Sequence, residues 1–176
     1  MNWFWVSVGA VGGMLFLLAR GRRAQKRAGA SHAQPAKSEV TEQSRVETAL
    51  ASGDIDQMEA MLTEVSESVH RHVLLEQIVS HYYRHRSESK SRDAFYRYAK
   101  IHIQEASGVL DAFSQTEYGR PDRIDTFKMM AIAMDQDGRY DEAIDICRQA
   151  LSMGLENGTK TGFEGRISRL ERKRDA

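Results

Sequence analysis

Residues Asp125 to Leu155, DTFKMMAIAMDQDGRYDEAIDICRQALSMGL, restrict the fold of this chain more than any other stretch. Phe127, Met130, Ala131 and Met134 recur at offsets of three and four, which places them on one helical stripe. Ala143, Ile144, Cys147, Ala150 and Leu151 repeat the pattern after an intervening Asp-Gly-Arg-Tyr turn. Gly138 stands where the first helix must stop, the position where left-handed backbone costs glycine least. The spacing predicts two antiparallel helices of about 14 residues each, with alanines at the seam that let the axes approach closely. A single hairpin of this kind cannot bury its own apolar face, so it demands neighbours.

This run resembles a tetratricopeptide repeat, a helical hairpin of about 34 residues. Phe127 falls at the family's first aromatic position, Met130 and Ala131 at its Leu-Gly/Ala pair, and Met134 at its first-helix aromatic. Tyr140, Ala143, Cys147 and Ala150 fall at its second-helix packing positions. Leu155 stands where the family often has proline, which implies a last helical turn that runs on. The match covers roughly a fifth of the chain and is weaker elsewhere.

Few prolines, abundant Ala, Leu, Met, Glu and Arg, and little β-branched clustering predict an all-α chain. A single cysteine excludes an internal disulfide framework, and Cys147 on a packing stripe reads as a small core hydrophobe. The formal net charge is zero but unevenly spread. Arg20, Arg22, Arg23, Lys26, Arg27 and Lys37 lie in a stretch without acids, so everything after Ser38 is acidic overall.

Residues 1–20 read as a transmembrane anchor. Trp3 to Ala19 is uncharged and mostly apolar, about 26 Å long as a helix, which is near the short limit for a bilayer. Trp3 and Trp5 suit one interface, and the arginines that follow the span predict a short N-terminus outside and a cytoplasmic C-terminal domain at the inner membrane. A cleaved signal would carry its charges before the apolar run. Gly9 and Gly13 form a small-residue pair suited to helix contact in lipid, although glycine is also common in membrane helices. Residues 21–38 read as a basic flexible linker whose cations, Arg20 to Arg27, face anionic lipid rather than nucleic acid.

Residues 39–176 read as the helical-repeat domain. Val46, Leu50, Met58, Met61 and Leu62 recur around Ser52-Gly53-Asp54, with Asp54 as an N-cap and Gln57 three residues on. Val73 to Tyr83 forms a wide apolar stripe, residues 84–91 break it, and Ser91 is expected to cap the next helix through Ala94, Phe95, Tyr98, Ile101 and Ile103. Ala106 to Gly119 suggests one further short helix, and Pro121 is expected near the first turn of the family-like repeat. Thr161 and Glu164 fit a capping box that opens a last helix through Phe163, Ile167 and Leu170, with a basic end.

Chemistry is harder to assemble. Gly154 to Thr161, GLENGTKT, lacks the Gly-Lys-Ser/Thr order of a phosphate loop. His81 and His85 share a helix face, which permits metal ligation, but no companion ligands are spaced for it and surface histidines explain them better. Tyrosines among cations in HYYRHRSESKSR resemble a single-strand binder less than a core stripe running into a loop. No nucleophile, base and orienting group come together, so neither an enzyme nor a cofactor is expected.

The resemblance implies a tetratricopeptide-like solenoid of α-α hairpins that scaffolds a protein or peptide partner, with first helices lining a concave groove. Carried over by position, the groove face of the clearest repeat comprises Asp125, Lys128, Ile132 and Asp135. Lys128 is present for a carboxylate clamp, but Met129 and Ile132 stand where the clamp's asparagines would be, so a mixed-charge or apolar ligand is implied. The alternative is a structural membrane component that self-assembles as a homo-oligomer through Gly9 and Gly13 and through stacked repeats.

Overall fold

The computed structural model describes residues 41–176, which fall into two units divided between Glu47 and Thr48. The expected membrane span, the basic linker and the Gly9–Gly13 pair lie outside the described residues. Among the described residues no helix is long and apolar enough to cross a membrane, and there is no strand. The described residues are all-α, as expected. The helices are α1 (Glu42–Ser52), α2 (Ile55–Leu62), α3 (Ser68–Arg84), α4 (Ser89–Ser114), α5 (Asp125–Gln136), α6 (Tyr140–Ser152) and α7 (Gly162–Arg174).

The described part of the first unit is the opening of α1, where the Thr41 hydroxyl accepts the Ser44 N–H at 3.2 Å and starts the helix. In the second unit α3 packs on α2, α4 and α5, α4 also on α5, and α6 on both α5 and α7. The core follows the apolar stripes. Leu74, Leu75, Ile78 and Val79 of α3 are fully buried, with Phe95, Ala99 and Ala106 of α4 and Phe127 and Ala131 of α5. Cys147 is buried with Ala143, Ile144 and Ala150, which places it in the core as read from sequence.

The two turns of the family-like hairpin are closed in the same way. Gly138 has φ 72°, the Arg139 N–H reaches the Met134 carbonyl at 2.9 Å, and the Gly138 N–H reaches Asp135 at 3.2 Å. Gly154 has φ 68°, and the buried Leu155 sends its N–H to the Ala150 carbonyl at 3.0 Å. Both are glycine-terminated helix ends in which the last carbonyls are satisfied by residues beyond the cap. The expectation that the last turn runs on through Leu155 is therefore wrong, because Gly154 supplies the stop that proline supplies elsewhere.

Four other boundaries also differ from expectation. The Ala106–Ser114 segment is not a separate helix but the second half of α4, which runs 26 residues. Gly108 within it costs about 1 kcal/mol, whereas Val109, Leu110 and Phe113 continue the buried stripe and each return more than that. Ser91 does not cap α4: the N-cap is Glu88, and Ser91 lies inside the helix. Thr161 occupies the N-cap of α7 but its backbone is helical (φ −98°, ψ −1°), so its hydroxyl makes no capping bond and the capping box does not form. Asp54 does cap α2, accepting from Asp56 and Gln57 N–H at 3.0 and 3.3 Å. Pro121 precedes α5 rather than opening it.

Candidate functional site

The residues predicted to face a groove lie on one stripe of α5, and three of the four are engaged with neighbours. Asp125 opens the helix, where a carboxylate is favoured by the free N–H groups. Its Oδ1 is buried, and Arg123 Nε and Lys128 Nζ meet it at ion-pair distance, both 3.2 Å, without hydrogen-bond geometry. Asp135, near the other end of the helix, holds the Lys173 ammonium of α7 at 2.6 and 2.8 Å. Ile132 lies between them, half-buried, and is the apolar centre of the stripe.

The face extends onto α3 through Glu76, which sequence reading passed over. Its carboxyl sits close enough to Asp125 and Arg123 to feel both charges. Burial, and then the Asp125 charge, push it up to about 7 against a partial offset from Arg123. Among the described residues Glu76 makes no hydrogen bond or ion pair. The arrangement is a half-buried, incompletely neutralised carboxyl beside a second carboxylate. A signal was present in the sequence, since Glu76 interrupts the apolar run between Leu75 and Ile78 on a helix buried on more than one side.

No family model, curated protein or solved structure matches the chain. The site is therefore read from its own chemistry.

Behind this face lies a polar chain in the core. His72 Nδ1 of α3 is 2.8 Å from His102 Nε2 of α4, and His102 Nδ1 is 2.8 Å from the hydroxyl of Thr126 of α5. All three side chains are buried. Burial lowers His72 to about 4, while burial and then the neighbouring His72 take His102 well below the ordinary imidazole value, so both rings are neutral. The chain crosses three helices and ends on the residue after Asp125. It fixes how α5 sits on α3 and α4, and with it the position of Asp125 beside Glu76. Separations of 30 and 24 residues hide this contact from any reading of local pattern.

The other sequence candidates are placed as follows. The His81 and His85 rings lie tilted by 37° with centroids 4.5 Å apart, and His85 Nδ1 meets the His81 carbonyl at 2.8 Å. Among the described residues no three His, Cys, Asp or Glu side chains converge as a metal site. Burial pushes the Cys147 thiol up to about 11, away from nucleophilic or redox use. Tyr82 stacks on Tyr98, and its hydroxyl donates to Glu59 at 2.7 Å, so it ties α3 to α2.

Proposed function

We propose that this chain is a membrane-anchored scaffold of tetratricopeptide-like hairpins that binds a protein or peptide partner on the face shared by α3 and α5. Residues 3–19 serve as the anchor, on sequence grounds, with the repeat domain on the cytoplasmic side of the inner membrane. The packing of α2 to α7, each on its neighbours in sequence, with α3 also reaching α5, supports stacked hairpins. The observation that carries the binding surface is Glu76: a carboxyl kept half out of water, beside Asp125 and without a bonded partner, is completed by a cation or donor from outside. Ile132, two turns along the α5 stripe from Asp125, supplies apolar contact, so the partner that fits presents a basic or amide group and, further along, a hydrophobic side chain.

Proximity labelling from the C-terminus in native cells tests this reading. Lys128→Glu and Ile132→Arg both change the stripe at partly accessible positions. Each should remove specific proteins from the labelled set while leaving the protein's abundance unchanged. A labelled set identical to wild type for both variants rejects the face as the binding surface.

A further inference from the structure

A second feature lies at the end of the helices, apart from the α3/α5 face. The turn between α3 and α4 and the last turn of α5 border an open, half-exposed cavity of about 390 Å³. Arg84 lines it from the end of α3, Arg86 and Ser87 from the turn, Arg92 from α4, and Ala133, Gln136 and Asp137 from the end of α5. The size is that of a small-ligand site, with room for a phosphoryl group and part of what carries it. Three arginines and a single acidic residue line it.

That carboxylate is already occupied. Asp137 is paired with Arg92, and its Oδ2 accepts the Tyr96 hydroxyl at 2.7 Å. Arg86 is held in place but not used up. Its Nη1 donates to the Tyr83 carbonyl at 2.7 Å, its Nε to Gln136 at 3.3 Å, and its Cζ lies over the Tyr83 ring, 4.0 Å from the centroid. A guanidinium has five N–H donors, so those of Nη2 and one on Nη1 remain free. Arg84 makes no hydrogen bond or ion pair among the described residues. The wall therefore presents one fixed and one free guanidinium with unspent donors, plus the Ser87 hydroxyl and no uncommitted acid. Arginine forks match the oxygens of a phosphoryl group, and the match is strongest when the guanidinium is preorganised, as Arg86 is.

We propose that this cavity binds a phosphoryl group, carried either by a small soluble phosphate ester or by a phosphatidic acid headgroup. The site is independent of the partner-binding face, since none of its lining residues belongs to that face.

The test uses the full-length protein in mild detergent, titrated calorimetrically with inorganic phosphate in exchange for chloride at constant ionic strength. Wild type should saturate with a dissociation constant of about 1 mM or tighter. Arg84→Gln and Arg86→Gln should each weaken binding roughly tenfold. Arg148→Gln, which removes an exposed arginine elsewhere, should not change it. A second arm measures binding to phosphatidylcholine vesicles with and without phosphatidic acid. The basic arm at Arg20–Arg27 is the same in every variant, so only a loss specific to Arg84→Gln and Arg86→Gln reports the cavity. Phosphate saturation without preference for phosphatidic acid points to a soluble ester, and variant-sensitive preference for it points to the headgroup. Absence of saturable, variant-sensitive binding in both arms, or an equal loss in Arg148→Gln, overturns the proposal.

Discussion

His72 and His102 share a hydrogen bond of 2.8 Å in the core, ring against ring, thirty residues apart in the chain. Each ring is neutral there, and Thr126 completes the chain on the far side at 2.8 Å. The geometry leaves no room for protons on both facing nitrogens.

Acid should therefore destabilise the protein through this pair. The folded-state value of His72 is lowered to about 4, so between the ordinary value of 6.5 and that point the unfolded chain binds protons the folded one refuses. Stability from this group is full above about 6.5 and falls as pH drops towards 4, by about 3 kcal/mol. Urea unfolding at pH 7.5 and 4.5 measures it, with His72→Asn as the reference that lacks the titrating ring. Equal acid losses in the two proteins would contradict the assignment.

Glu76 should act in the opposite direction. Its folded-state value is raised from 4.5 to about 7, so the folded protein binds the extra proton in that window and stability declines as pH rises through it. Glu76→Gln removes the desolvated charge. The variant should be more stable than wild type by about 2 kcal/mol at pH 8, a figure already discounted for partial exposure. The difference should vanish near pH 4.5. A Glu76→Gln protein no more stable than wild type at pH 8 removes the physical basis of the binding face as well.

Arg71 clamps three elements at once. Its Nε and Nη2 grip both Glu105 oxygens at 2.9 and 2.6 Å, and its Nη1 donates to the Leu62 and Val65 carbonyls at 2.7 and 3.1 Å. Glu105 raises the guanidinium further above its ordinary value. Lysine keeps the charge but has no planar fork, so Arg71→Lys should cost about 2 kcal/mol by urea denaturation. Hydrogen exchange should quicken first in α2, the eight-residue helix that Arg71 holds from outside. Uniform quickening across all helices would mean that the clamp is not local.

The α5–α6 hairpin was legible because every signal within it agreed: two stripes of period 3.6, a glycine stop and small residues at the seam. Legibility failed where local and tertiary signals parted. Ala106 to Gly119 suggests a short helix of its own, yet the burial of Val109, Leu110 and Phe113 carries α4 through the exposed Ser107 and Gly108. Thr161 and Glu164 have the right spacing for a cap, but the backbone at Thr161 is already helical. On the candidate site, sequence reached Asp125, Lys128, Ile132 and Asp135 by position within a repeat. It missed Arg123, which pairs locally with Asp125, and Glu76, which stood out within an apolar run but meets Asp125 only once α3 and α5 lie side by side. The His72–His102–Thr126 chain was out of reach for the same reason.

The loop that leads into α5 is also joined to the loop that leaves α6. The Glu156 N–H donates to the Asp122 carbonyl at 2.7 Å, and the Arg120 side chain reaches the Met153 carbonyl. Entry and exit are stitched together, so the helix pair behaves as a closed clasp. Neither helix can slip along the other without breaking that seam, and a push on one end arrives at the other as a shift of the whole plate.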